Sequence, residues 1–333
     1  MSLVPSPLES LACPVTGVGS LPFTLAEEAI QFVAECTPEI PHWPQLPRRH
    51  AAEGMIQQFL GDARAELDVR ARQAGYFVKS RTGFLAGLAE ATGALDAERA
   101  AGFFAFDKAL IAGRFPRARV LKGQVTGAWT LATTLHVGDG LATSDADVLA
   151  ALVQLVQRNV RWQIDALRRF ELPVLMQIDE PGLGTAATAE QIRVAQAGLA
   201  ETIACVRAAG AIPLVHACAR PRAELFAQVD APLALDAHEF ADECVALARS
   251  RTSPCFALGL APPKTPLAFD PAAHAALWRA RAGADAEPIA AQSLITPSCG
   301  LALATPHEAA RSMKLCAALA AEFAAGRRLA HWH

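Results

Sequence analysis

The sequence predicts an α/β protein folded as a single (β/α)8 TIM barrel, and three observations support this fold class. From about Val120 onward, short apolar runs alternate with longer Ala-rich stretches of helical character. The apolar runs are too short and too apolar for surface helices, which is typical of buried parallel strands. No internal repeat, charge block or low-complexity linker divides the 333 residues, so we expect one domain over residues 1–333.

The regular part of the chain supplies six predicted strands and the helices between them. The strands are predicted at residues 120–125, 173–178, 212–216, 233–235, 255–260 and 292–296. The helices are predicted at residues 145–170, 188–209, 221–229, 241–250, 271–283 and 306–325. An early strand at 14–18, a helix at 24–36 and a further strand at 75–79 bring the strand count to eight, which favours a closed barrel.

Residues 38–119 fit this alternation least well. Four prolines interrupt the start of the segment before a helical pattern begins near Ala51, namely Pro38, Pro41, Pro44 and Pro47. Because proline disrupts both strand and helix hydrogen bonding, we expect a loop followed by helices, inserted at one end of the barrel.

Composition and charge exclude several classes of partner. The chain is 52% hydrophobic with a formal net charge of -3, and its Lys and Arg residues are scattered, so we expect no nucleic-acid partner. No apolar run reaches the roughly 18 residues of a membrane helix, and the first residues lack a secretory signal pattern, so we expect a cytoplasmic protein without a membrane partner. Eight cysteines are too sparse for a disulfide scaffold and indicate reduced thiols or metal ligands.

One imidazole and two thiols lie at the carboxyl ends of predicted strands, where barrel enzymes gather their sites. His216 and Cys218 end one strand, and Cys299 follows another. An HxC pair alone is a weak signal, because a single histidine is more often a structural residue, but a second thiol at another strand end favours a zinc site. Such a metal activates either a thiol, by favouring its deprotonation, or a water molecule.

Another predicted strand ends in two adjacent carboxylates, within the run Gln177-Ile178-Asp179-Glu180-Pro181. Strand alternation sends the two carboxylates to different faces. Asp179 is the candidate for accepting a hydrogen bond from the amine of an amino-acid substrate, and Gln177 and Glu180 are substrate-binding candidates beside it. The alternative is an acidic pair that caps the next helix.

A turn with two glycines follows the first predicted strand, in the run Thr16-Gly17-Val18-Gly19-Ser20. Glycine allows backbone N–H groups to approach a ligand carboxylate, and the Ser20 hydroxyl can donate as well. The alternative is a tight turn without a ligand. The run lacks the third glycine of a dinucleotide-binding fingerprint.

The order of these motifs resembles the catalytic, carboxy-terminal barrel of cobalamin-independent methionine synthase, and more distantly the uroporphyrinogen decarboxylase-like methyltransferases. The resemblance covers nearly the whole chain and is carried by six segments in family order: residues 16–22, 41–48, 123–129, 177–181, 216–218 and 297–300. The chain looks most like the core-type synthases, which comprise only the catalytic barrel.

The resemblance implies a zinc-dependent methyltransferase that methylates the thiol of homocysteine to give methionine. It assigns the metal to His216, Cys218 and Cys299. It assigns the carboxylate of the substrate to Val18, Gly19 and Ser20, and the amino group of the substrate to Asp179.

The fourth zinc ligand of the family is a Glu after the strand that follows HxC, and here the sequence departs from the family. The stretch reads Leu-Ala-Leu-Asp-Ala-His-Glu over residues 233–239. We expect Asp236 at the strand end as the fourth ligand, with Glu239 as the alternative at closer spacing and His238 as a third option.

The methyl donor departs from the family as well. Folate-dependent members have a histidine after the next strand that helps protonate the folate leaving group, whereas this chain continues into Ala-Pro-Pro-Lys-Thr over residues 261–265. They also carry an amino-terminal barrel that these 333 residues do not include. A methyl group on folate N5 is a poor electrophile without that proton, so we expect methylcobalamin or a methyl-corrinoid protein as donor and partner.

Three other functions stay open at the level of sequence. A methylcorrinoid:thiol methyltransferase of the coenzyme M type would use a similar HxC…C site for another acceptor. A uroporphyrinogen decarboxylase-like protein rests on fold analogy alone and would leave the thiols idle. A thiol- or corrinoid-binding protein without turnover is the non-enzymatic alternative.

Overall fold

The structure is a computed structural model that describes residues 8, 11, 14–68, 75–251 and 256–324. In chain order its strands are β1 (Leu67–Asp68), β2 (Tyr76–Val78), β3 (Leu121–Thr126), β4 (Leu135–Val137), β5 (Gly140–Leu141), β6 (Val174–Asp179), β7 (Ile212–Ala217), β8 (Leu233–Leu235), β9 (Phe256–Ala261) and β10 (Leu294–Pro297). Its α-helices are α1 (Ala26–Cys36), α2 (Arg81–Glu90), α3 (Ala101–Ile111), α4 (Ala128–Thr134), α5 (Ala146–Arg168), α6 (Ala189–Ala208), α7 (Ala223–Phe226), α8 (Ala241–Ser250), α9 (Pro271–Ala282), α10 (Ala286–Ala291) and α11 (Pro306–Glu322).

Six of these strands form one parallel sheet, curled like half of a barrel, in the order β10-β9-β8-β7-β6-β3. All six strands predicted in the regular part of the chain are present, with ends shifted by at most two residues. The predicted bounds of β8 and α8 agree with the structure. Residue 255, where strand β9 was expected to begin, lies outside the described residues.

Several helices begin at capping residues that the sequence provides. Thr188 and Thr305 form capping boxes with Gln191 and Glu308 at the starts of α6 and α11. Asp145 accepts a hydrogen bond from the Val148 amide at the start of α5, the 23-residue helix that packs on β3 and α6. These caps satisfy N–H groups that have no partner inside the helix.

Two extended segments lie between the edges of the large sheet. One contains Val15 and Ser20, and the other contains His42 and Gln45. Isolated parallel bridges join Val15 to Ile295, Ser20 to Gln45, and His42 to Lys122. The first bridge reaches β10 and the last reaches β3, so the two segments lie between the two edges. Pro41 and Pro44 have no N–H group to donate, which explains why this stretch forms single bridges and not a regular ladder.

The prediction that residues 75–79 add a strand to the barrel is wrong. These residues do form a strand, β2, but it pairs with β1 and β4 in a separate four-stranded sheet of order β1-β2-β4-β5. The residues of β2 are only half-buried, whereas all residues of β3, β6, β7 and β9 are buried. A strand of a parallel sheet covered on both faces needs that complete burial.

The segment 38–119 contains the expected loop and two helices, α2 and α3. The helical pattern near Ala51 gives short 3₁₀ turns instead of a long α-helix, at Ala51–Glu53, Gln57–Phe59 and Gly61–Glu66. In the described part of the chain, no helix combines the length and the apolar character needed to cross a membrane.

Side chains of the large sheet alternate between two faces. Leu121 and Met176 belong to the main hydrophobic core, which includes the helices, whereas Leu175 and Leu214 belong to a second, smaller apolar cluster. The second cluster lies on the concave face of the curled sheet, which is called the inner face here, and occupies one end of it. Polar residues such as Gln177 continue the same face toward the carboxyl ends of the strands.

Candidate metal centre

Three side chains meet at the carboxyl end of the large sheet. The ligand atoms of His216, Cys218 and Cys299 all lie within 4.8 Å of one another. His216 is the penultimate residue of strand β7, Cys218 follows that strand directly, and Cys299 comes two residues after the end of β10. Strands β8 and β9 separate β7 from β10 in the sheet, so the curl of the sheet is what brings the two ends together.

His216 is oriented by a backbone hydrogen bond. Its Nδ1 atom lies 3.2 Å from the carbonyl oxygen of Ala234 in the neighbouring strand β8. A carbonyl oxygen can only accept, so Nδ1 carries the proton and Nε2 is the nitrogen that meets Cys299. A backbone carbonyl on the second nitrogen is the usual support for a histidine that ligates a metal.

The two thiols form a hydrogen-bonded pair. The hydrogen bond from Cys218 lowers the pKa of Cys299 to about 4 against the opposing effect of burial, and His216 acts in the same direction as Cys218. The same hydrogen bond, together with burial, raises the pKa of Cys218. Burial alone would lower the pKa of His216, but the hydrogen bond to Cys299 and the charge of Asp179 raise it. The surroundings therefore stabilise the thiolate of Cys299, and Cys218 and His216 lie beside it as two further potential metal ligands.

This donor set fits zinc. Imidazole nitrogen and thiolate sulfur are the ligands that zinc prefers, and bonds of about 2.0 to 2.3 Å to one tetrahedral ion need ligand atoms as close together as these are. Three protein ligands leave one tetrahedral position for a substrate or a water molecule, as in catalytic zinc sites.

The expected fourth ligand does not belong to this group. Asp236 accepts a hydrogen bond from the Glu239 amide at 2.9 Å and bonds to the side chain of Ser298, and burial raises the pKa of its carboxyl group. The side chain of Glu239 is exposed. His238 stacks on His274, with 6.2 Å between the ring centres. The structure thus brings together three of the four predicted ligands.

The three ligand residues line a cavity of about 390 Å³, together with three of the predicted substrate-binding residues: Val18, Ser20 and Asp179. Gly19 lies between the first two in a conformation with φ of +152°, and a Cβ atom there would lie 2.7 Å from the Oε1 atom of Gln45. Only glycine fits this turn without strain.

Gln177 connects the glycine turn at Val18 with Asp179. Its Nε2 atom donates to the carbonyl oxygen of Val18 at 2.8 Å and to Oδ1 of Asp179 at 2.6 Å. Burial raises the pKa of Asp179, while the positive charges of His216 and Lys122 oppose that effect. Gln177 therefore holds the predicted amine acceptor and the glycine turn in one arrangement.

Glu180 is turned toward a helix. Its carboxylate accepts hydrogen bonds from the amides of Trp129 and Thr130, at 3.2 and 2.8 Å, and from the Thr130 hydroxyl at 2.6 Å. Burial raises the pKa of Glu180 to about 7. The residue caps α4, which precedes it in the chain, whereas the capping alternative considered from the sequence concerned the next helix.

Two charged residues of this region escaped the sequence analysis. Lys122 is fully buried on the inner face, and its Nζ atom donates to the carbonyl oxygen of Val18 at 2.8 Å. Glu53 lines the cavity from the 3₁₀ turn Ala51–Glu53. A lysine inside an apolar strand was a signal that could have been used, but nothing in the local sequence around Glu53 indicates a site.

Comparison with known proteins gives no family assignment: no protein-family model matches this chain, and no curated protein matches it either.

Proposed function

We propose that this chain is a zinc-dependent methyltransferase that methylates the sulfur of homocysteine to give methionine. The observation that carries the proposal is the convergence of His216, Cys218 and Cys299 within 4.8 Å at one wall of a cavity. Zinc held by these three residues would lower the pKa of a thiol substrate and supply a sulfur nucleophile at neutral pH. Reduced thiols of this kind match the proposed cytoplasmic location.

Other polar groups of the cavity suit the amine and the carboxylate of an amino-acid substrate. Asp179 keeps one carboxylate oxygen on Gln177 and presents a buried negative charge to the cavity, which suits an ammonium group. The open glycine turn and the Ser20 hydroxyl offer donors to a carboxylate. Asp179 and the glycine turn would thereby hold the amino-acid part of the substrate, while its sulfur meets the three ligand side chains.

We also propose that the extended segments around Val15 and His42 take the places of the two remaining strands of a closed (β/α)8 barrel. The bridges from these segments to β10 and β3 support this assignment. In such a barrel the carboxyl-end loops form the active site, and the cavity lies at that end.

A methyl-corrinoid is the donor that we propose. The residues after β9 are Pro262, Pro263, Lys264 and Thr265, and the Thr265 hydroxyl donates to the Pro262 carbonyl oxygen at 2.8 Å. This loop offers no histidine to protonate a folate nitrogen, and a methyl-corrinoid requires no such proton donor.

Metal content tests the proposal directly. We expect purified protein to contain about one zinc ion per chain, and Cys299→Ser to lose most of it because a serine hydroxyl is a much poorer zinc ligand than a thiolate. Zinc is measured by elemental analysis, and methionine formation is measured with homocysteine and either methylcobalamin or methyltetrahydrofolate.

Cys244→Ser is the matched control, since Cys244 is a buried cysteine of α8 outside the ligand group. It should keep its zinc. Full activity in metal-free protein would contradict the proposed function, and methylation from the folate alone would contradict the proposed donor.

A further inference from the structure

We propose that Lys122 is a positioning residue for the carboxylate of the substrate: it holds and polarises the peptide group between Val18 and Gly19, so that the glycine turn binds an anion. The inference deepens the proposed function and rests on it for the identity of the substrate. It is carried by the burial and the hydrogen bonds of Lys122 and by the free amides of the turn.

Lys122 is a buried amine without a carboxylate partner. Its side chain is fully buried, and within the described part of the chain its Nζ atom bonds to neutral acceptors alone, the carbonyl oxygen of Val18 at 2.8 Å and Oε1 of Gln124 at 3.5 Å. Burial lowers the pKa of Lys122, and the charge of Asp179 opposes this effect without a direct ion pair. A buried cation that lacks an ion pair is stabilised by a further anion nearby.

The carbonyl oxygen of Val18 receives two donors on one side. Nζ of Lys122 and Nε2 of Gln177 each donate to it at 2.8 Å. The peptide bond to Gly19 is trans, so the N–H group of Gly19 points in the opposite direction, away from both donors. A charged donor on a peptide carbonyl polarises the group and makes its N–H a stronger donor. Lys122 thereby acts on the far side of the turn without entering the cavity.

The carbonyl oxygens of the turn are all held by the protein. The Gln45 amide donates to the carbonyl oxygen of Gly19 at 3.1 Å, and the Leu301 amide donates to that of Ser20 at 2.8 Å. With the Val18 carbonyl on Lys122, three successive carbonyl groups are fixed before a ligand binds. Donors arranged in advance lose little entropy on binding.

The amides of the turn are left for a ligand. Val18 and Ser20 line the cavity, and the amides of Gly19 and Ser20 donate to no group among the residues that the structure describes. The described lining of the cavity contains neither lysine nor arginine. A substrate carboxylate at the turn would therefore meet N–H donors in front of it and the cation of Lys122 behind them.

Binding of the reaction product tests this inference without catalysis. Methionine has the same amino-acid end as homocysteine, and 3-(methylthio)propylamine differs from methionine only in the missing carboxylate. Isothermal calorimetry with both ligands at pH 6.5, where most of the Lys122 amine is protonated, gives the preference for the carboxylate directly. We expect the wild type to prefer methionine by about 10- to 100-fold, the range of charge-assisted hydrogen bonds.

In Lys122→Met that preference should fall about tenfold, the order expected for two charges separated by one peptide group. The amine ligand should bind at least as tightly as it does to the wild type, because loss of a buried cation cannot weaken the binding of another cation. General damage to the cavity would instead weaken both ligands.

Lys314→Met is the matched control, since Lys314 is exposed on α11, and it should retain the wild-type preference. Circular dichroism and the zinc content establish that Lys122→Met is folded. Lys122→Gln removes the charge but keeps a side-chain donor, and it should show a loss in the same direction if the Met variant does not fold.

Three results would overturn the inference: a wild type without preference for methionine, an unchanged preference in the folded Lys122 variant, or an equal loss of affinity for both ligands. A wild-type protein that binds no zinc but prefers methionine through Lys122 would instead contradict the proposed function and leave the carboxylate site in place.

Discussion

Lys122 is a charged side chain in the middle of a fully buried strand. Its Nζ atom and the Nε2 atom of Gln177 donate to the same acceptor, the carbonyl oxygen of Val18, both at 2.8 Å. Two donors from two neighbouring strands thus fix the backbone just before Gly19. Burial lowers the pKa of Lys122 to about 7, although the charge of Asp179 opposes this effect.

This pKa predicts how the stability of the protein depends on pH. Between about pH 7 and the ordinary value of 10.5, the unfolded chain binds a proton at Lys122 that the folded chain does not. The contribution of Lys122 to the free energy of unfolding therefore rises with pH, by about 1.4 kcal/mol per pH unit in the middle of that window. Lys122→Met lacks this contribution.

Urea unfolding of the wild type and Lys122→Met at pH 7.5 and 9 measures the effect. From pH 7.5 to pH 9, the unfolding free energy of the wild type should rise by about 2 kcal/mol relative to that of Lys122→Met. Identical pH profiles for the two proteins would show that the amine is charged in the folded state.

At the scale of elements, Asp145 at the start of α5 connects this helix with the start of α2. Asp145 caps this helix through the Val148 amide, and it also accepts hydrogen bonds from Arg81, the first residue of α2. The hydrogen bonds from Arg81 lower the pKa of Asp145. The stabilisation by this carboxylate is therefore present above about pH 4, the ordinary pKa of aspartate, and is lost as the pH falls through the lowered value.

Asp145→Ala should lower the free energy of unfolding at pH 7 by about 1 to 2 kcal/mol, since it removes both the cap and a partly exposed ion pair. Asp147→Ala is the matched control, because Asp147 bonds to the same Arg81 but is exposed and does not cap the helix. Urea denaturation should show a much smaller loss for the control. Equal losses would mean that the cap contributes nothing.

At the scale of the whole molecule, the metal centre joins distant parts of the chain. Cys218 and Cys299 lie 81 positions apart and on strands separated by two others, so a bound ion would cross-link the curled sheet. Binding to the folded state alone stabilises it, by about 2.7 kcal/mol when the free ion is at 100 times its dissociation constant. The large hydrophobic core does not depend on the ion.

Calorimetry should therefore show a melting temperature that is lower by about 4 °C after chelation, with the protein still folded at 25 °C. Cys299→Ser should melt at the same temperature with and without the chelator. A wild-type melting temperature that does not respond to zinc or to the chelator would argue against a metal bound at His216, Cys218 and Cys299.

The sequence alone was sufficient for the features that depend on short-range pattern. Largely apolar runs identified the six strands of the large sheet, because a parallel strand buried on both faces carries mostly apolar residues. Capping residues such as Thr188 located helix starts to within two residues. His216 and Cys218 were assigned because both lie at the carboxyl end of a predicted strand, with a further thiol at the end of another strand.

Only the tertiary structure decided the rest. The short distance between Cys299 and the HxC pair depends on the curl of the sheet, and Asp236 lies outside this group of ligand atoms, with its Oδ1 atom on the Glu239 amide. The pairing of β2 outside the large sheet and the position of Glu53 in the cavity wall also arise from contacts between distant segments. Short-range patterns determine which residues form a strand and which face they occupy, whereas the partners of a side chain are set by non-local packing that one sequence does not encode in any local period.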